Sequence, residues 1–70
     1  MKRYFYFVAR FFKDGIERFA NGFQESDDGN FDIISAQDTI SKKEDVKDVV
    51  ITFWAETNSV MYGKFGGRAG

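Results

Sequence analysis

The chain has 70 residues and a net charge of −1, which bounds it to one domain near the lower size at which a core suffices unaided. It holds no Cys and no His, so disulfides, thiolate metal sites and imidazole catalysis are excluded. Aromatic residues make up 19% of the chain, with nine Phe, three Tyr and one Trp. They can make a small core sufficient: each fully buried Phe contributes roughly 1.5–3 kcal/mol, against backbone ordering of roughly 1–2 kcal/mol per residue.

The first predicted element is a strand over residues 3–13. Its run Tyr4-Phe5-Tyr6-Phe7-Val8-Ala9-Arg10-Phe11-Phe12 is apolar at odd and even positions alike. A strand of this kind wants partners on both faces, and so short a chain can hardly supply both. The excess points to a surface made for another molecule. The opening Met1-Lys2-Arg3 followed by apolar residues has a faint signal-peptide look, but Arg10 interrupts the run and no small-residue cleavage site follows. The run is also too short to span a membrane. A cytoplasmic protein with no membrane partner is the expectation.

Asp14-Gly15 is a two-residue hairpin signal that leads into a second strand over 16–25. Asn21-Gly22 is a rival turn, but it would leave the long first strand facing only five residues. With the first turn, Lys13 pairs with Ile16, and the register follows: Phe11 with Arg18, Ala9 with Ala20, Phe7 with Gly22, Phe5 with Gln24. Gly22 then marks a bulge or a close-packing point. That face sets large rings around small residues, and a helix can lie there. The other face pairs Phe12 with Glu17, Arg10 with Phe19, Val8 with Asn21, Tyr6 with Phe23 and Tyr4 with Glu25, mixing rings with charges as an interface does.

Ser26-Asp27-Asp28-Gly29-Asn30 reads as a loop. Two parses follow. In the preferred one Asp32 caps a helix over 33–43 with Ile33, Ala36, Gln37 and Ile40 on one side. In the other, 31–36 is a strand and a helix over 41–48 begins at Ser41, with Glu44 completing a capping box. Val49-Val50-Ile51-Thr52-Phe53-Trp54-Ala55-Glu56 is the third strand, expected to alternate Val49, Ile51, Phe53 and Ala55 on one face with Val50, Thr52, Trp54 and Glu56 on the other. A crossover, right-handed by rule, places this strand beside the first. The fold class is therefore α+β: a three-stranded antiparallel sheet of order 2-1-3 with one helix on one face, in ββαβ sequence. The domain is expected over residues 1–57, followed by a flexible Gly-rich tail over 58–70, where four of thirteen residues are Gly.

Charge is uneven along the chain. Residues 1–13 carry Lys2, Arg3, Arg10 and Lys13 and no acid, whereas residues 14–48 hold ten acids against Arg18, Lys42, Lys43 and Lys47. Such asymmetry suits a self-complementary oligomer or simply solvated edges. Gly63-Lys64-Phe65-Gly66-Gly67-Arg68 lacks the hydroxyl residue and upstream Gly of a phosphate loop. Asp27-Asp28-Gly29-Asn30-Phe31-Asp32 lacks the spacing and terminal Glu of a calcium loop, so a turn plus helix cap accounts for it. No metal, cofactor or catalytic residue is expected, and the chain is read as no enzyme.

The candidate interface comprises Tyr4, Tyr6, Val8, Arg10, Phe12, Phe19, Phe23 and Trp54, with Tyr4, Tyr6 and Trp54 expected on one sheet face beside Arg10. The expected function is a non-catalytic protein-interaction module, a homodimer with a further unknown protein partner. The alternative is a single-stranded nucleic-acid binder that stacks bases on Tyr4, Tyr6 and Trp54 with help from Arg3, Arg10, Lys64 and Arg68. A pI near 5.2 counts against it.

Three segments carry a family resemblance: Met1-Lys2-Arg3-Tyr4-Phe5-Tyr6-Phe7-Val8, then Gly29-Asn30-Phe31-Asp32-Ile33 with Ala36 and Ile40, then Val49 to Glu56. Over residues 1–57 the chain resembles short uncharacterised proteins encoded in bacteriophages and prophages. The resemblance implies a ββαβ order and a phage or accessory bacterial context. It brings no catalytic or binding residue with it, and the Gly-rich end departs from the acidic, helical ends of those proteins.

Overall fold

The computed structural model describes residues 2–58; the predicted tail over 58–70 lies outside the described residues from 59 onward. Chain order is β1 (Arg3–Lys13), β2 (Ile16–Ser26), α1 (Ile33–Glu44) and β3 (Val50–Thr57). The strands form one antiparallel sheet in the order β2-β1-β3, so the aromatic strand is central. The fold is α+β, as the sequence predicts.

Asp14 and Gly15 both adopt positive φ, 56° and 76°, which matches the twist of the flanking strands and closes β1 onto β2 in two residues. Every pair of the expected register is present, from Lys13 with Ile16 to Tyr4 with Glu25. Gly22 is a close-packing point rather than a bulge, because the ladder runs through it unbroken opposite Phe7. A Cβ at this position would lie 2.7 Å from the ring of Phe7.

Burial alternates along β1 from Tyr4 to Phe12. Phe5, Phe7, Ala9 and Phe11 are buried, while Tyr4, Tyr6, Val8 and Arg10 are half-buried. Phe7, Ala9 and Phe11 form the core with Ala36 and Ile40 of α1 and with Val49, and Ala20, Phe31, Val46 and Ile51 pack at its margin. Each buried Phe contributes roughly 1.5–3 kcal/mol.

The first helix parse holds and the second does not. Asp32 is the N-cap, its carboxylate accepting from the Ser35 N–H at 3.0 Å, and Gln24 of β2 clamps the same residue. The Gln24 Nε2 donates to the Asp32 carbonyl at 2.9 Å, and the Asp32 N–H donates to Gln24 Oε1 at 2.7 Å. Ser41 starts nothing: it lies within the helix, and its carbonyl accepts the N–H groups of Asp45 and Val46 that end it. Of the expected apolar side, Ala36 and Ile40 are buried and Gln37 donates to the Val49 carbonyl at 3.0 Å, whereas Ile33 stays exposed with Ile34 in the first turn.

β3 departs from the expected alternation. Val8 pairs with Phe53 and Ala9 with Ile51, so Thr52 is an extra residue at a bulge, its hydroxyl donating to the Val8 carbonyl at 3.3 Å. The side-chain phase reverses across it. Ile51 faces the helix side, Phe53 and Ala55 face away from it, and Trp54 lies opposite Phe7 on the helix side. Val49 precedes the strand and is buried in the core.

Candidate protein interface

One helix covers one face of the sheet, and among the described residues no element covers the other. Directly opposed residues share a face, so the open face carries Tyr4, Tyr6, Val8, Arg10 and Phe12 from β1, Phe19 and Phe23 from β2, and Val50, Phe53 and Ala55 from β3. Phe12, Phe19 and Phe53 are 61%, 62% and 54% exposed. With Val50 at 44%, this face gathers four of the eight large hydrophobic residues that stand exposed among the described residues.

The rings are organised by local contacts. Tyr6 and Phe23, paired across the strands, tilt against each other with centroids 5.3 Å apart. The Asn21 side-chain amide donates to the Tyr6 hydroxyl at 3.4 Å. Beside them Tyr6, Val8, Phe19, Ala20 and Asn21 line a shallow hollow of about 180 Å³.

Charges on this face occur in matched pairs. Arg10 lies 3.5 Å from Glu17 and Lys2 3.0 Å from Glu25. The hydrogen bond to Glu25, reinforced by its charge and that of Asp27, holds the Lys2 ammonium above its ordinary pKa. The open-face positions of β3, Val50, Phe53, Ala55 and Thr57, carry no charge at all.

The structure brings Tyr4, Tyr6, Val8, Arg10, Phe12, Phe19 and Phe23 together, but it separates Trp54 from them. Trp54 stacks on Phe31 with centroids 4.9 Å apart and rings 14° from parallel, and Phe5 meets it edge-on at 5.7 Å. Its indole lies on the helix side beside Phe31, outside the buried core and 47% exposed, and the expected Tyr4, Tyr6 and Trp54 platform does not form. Phe53 and Val50 take its place on the open face. Sequence alone held no signal for this, because residues 49–55 are apolar at odd and even positions and a bulge leaves no mark in such a run.

A second hollow, of about 620 Å³, lies between the end of β2, the loop after it and the start of α1, and Glu25, Asp27, Asp28 and Asp32 line it. Three of these carboxylates have structural work. Asp28 accepts from the Asn30 N–H at 3.0 Å and the Ser26 hydroxyl at 2.7 Å, which holds its carboxyl below the usual range. Asp32 caps α1 and Glu25 engages Lys2. Among the described residues no group of three or more Asp, Glu, His or Cys is placed to hold a metal ion, and no helix is long and apolar enough to cross a membrane. No protein-family model, curated protein or solved structure matches the chain.

Proposed function

We propose that the protein is a small non-catalytic protein-interaction module that works as a homodimer through its open sheet face, in the phage or accessory bacterial context that its sequence resemblance implies. The observation that carries this reading is the aromatic-rich open face with Phe12, Phe19 and Phe53 more than half exposed. Water against three such rings is costly at about 25 cal/mol per Å², and a second protein surface removes that cost.

A protein surface suits this face better than a nucleic acid does. Arg10 and Lys2 are each matched by a carboxylate, so the face offers a phosphate backbone no excess positive charge. Sedimentation of the full chain over a wide concentration range tests the reading: a dimer is expected, and Phe19→Asp should yield a folded monomer by circular dichroism. A strict monomer at every concentration would sink the homodimer. Salt-sensitive binding of a labelled single-stranded oligonucleotide, read by anisotropy because Trp54 lies on the other face, would favour the nucleic-acid alternative instead.

A further inference from the structure

We propose that the two open faces meet with their β1 strands running in the same direction about a two-fold axis along β1, so that Phe53 of each copy enters the hollow beside Val8 and Asn21 of the other. The inference rests on the homodimer reading and deepens it by assigning the packing.

Two sheets stacked face to face keep their strands within about 30° of alignment. A two-fold axis in the interface can then lie along β1 or across it. With the axis along β1, β2 of one copy covers β3 of the other. The register places Phe19 at the level of Arg10 and Val50, Asn21 at the level of Val8 and Phe53, and Phe23 at the level of Tyr6 and Ala55. On the outer strands each contact therefore sets a large side chain against a smaller one, Phe19 on Val50, Phe53 on Asn21 and Phe23 on Ala55, while along the axis Tyr4, Tyr6, Val8 and Phe12 meet their own copies. Interdigitation of this kind is what dense packing needs. The hollow of about 180 Å³ lined by Tyr6, Val8 and Asn21 lies where Phe53 of the second copy arrives.

Charge agrees with shape. The carboxylates of Glu17 and Glu25 both belong to β2, and in this arrangement they lie over the uncharged open face of β3 or beyond its end. Arg10 meets its own copy at the axis, and the Glu17 partner of each guanidinium balances the pair. With the axis across β1, β2 lies on β2 instead. With that axis at the level of Val8, Phe19 meets Phe23, Phe53 meets Phe53 and Glu17 meets Glu25, which crowds rings on the outer strands and opposes like charges.

Area fits a dimer of modest strength. Three strands about 4.8 Å apart and about 30 Å long offer on the order of 500 Å² per copy, or about 1,000 Å² in total, the lower bound for a specific interface.

Two measurements on the full chain test the arrangement. Lys47 is exposed and lies at the hairpin end with Asp14, so a nitroxide on Lys47→Cys reports which ends meet. With sheets about 10 Å apart and a helix layer of similar depth outside each, pulsed dipolar spectroscopy should give an inter-label distance of about 30 Å or less. A distance above about 40 Å places the labels at opposite ends and overturns the arrangement. Secondly, Asn21→Phe fills the hollow and should raise the dimer dissociation constant about tenfold or more, whereas adding Phe53→Asn should restore it to within about threefold of the parent. Failure of the exchange to restore association in folded protein overturns the Phe53 contact. A dimer with distant labels rejects only this packing; a monomer at all concentrations rejects the homodimer itself.

Discussion

Gly22 shows how a single missing methyl group sets the shape of the sheet. The ring of Phe7, 1% exposed, lies directly over it, so any Cβ would strike an atom that has no room to retreat. Gly22→Ala gains about 0.5–1 kcal/mol from reduced unfolded-state freedom but loses about 1–3 kcal/mol to overpacking. The steric effect wins, and a lower denaturation midpoint in urea is the expected outcome. Trp54 carries a second residue-level prediction. Because it stacks on Phe31 on the helix side, Trp54→Ala should reduce stability by roughly 1–2 kcal/mol, from lost burial and ring pairing, while leaving self-association of the folded fraction unchanged. Dissociation of a folded Trp54→Ala protein would contradict its placement. Asp28 supplies the pH dependence: hydrogen bonds from Asn30 and Ser26 depress its carboxyl, so its contribution is present above the unfolded carboxylate value and is lost as pH falls through and below about 4. In acid titrations followed by circular dichroism, Asp28→Asn should flatten that part of the stability profile.

At the scale of elements, β1 does two jobs because its two sets of side chains are both apolar. The odd positions hold the helix and the even positions furnish the open face. β3 meets the same demand by a different route. The bulge at Thr52 lets Ile51 and Trp54, three residues apart, both point to the helix side, and sends Phe53 outward between them. α1 depends on its clamp as much as on its apolar side. Gln24 makes two hydrogen bonds to the backbone of the N-cap residue, so Gln24→Ala should destabilise by about 1–2 kcal/mol and raise amide exchange in the first helical turn before the sheet is affected. Exchange that rises equally in β1 would mean that the clamp stabilises the fold as a whole.

At the scale of the whole molecule, the buried apolar set among the described residues is small: Phe5, Phe7, Ala9, Phe11, Ala36, Ile40 and Val49. A chain of this size is marginally stable on such a core. If a second copy binds only the folded state, association adds to stability by mass action. The melting temperature should therefore rise with protein concentration in scanning calorimetry, and a concentration-independent value would count against the homodimer.

How much of this was legible beforehand depended on whether a residue's role was local. Asp14-Gly15 set the hairpin, because positive φ at both turn residues matches strand twist, and the turn in turn set every pair of the β1–β2 register. Asp32 marked the helix start, and the two-sided apolarity of β1 placed it at the centre of the sheet. The sequence by itself thus determined the ββαβ order, the 2-1-3 sheet and most of the open face. Only the tertiary structure decided the phase of β3. A run with apolar residues at both odd and even positions carries no record of which side chain points inward, so packing against Ala9, Phe7 and Phe31 set Ile51 and the half-exposed Trp54 on the helix side and left Phe53 for the open face.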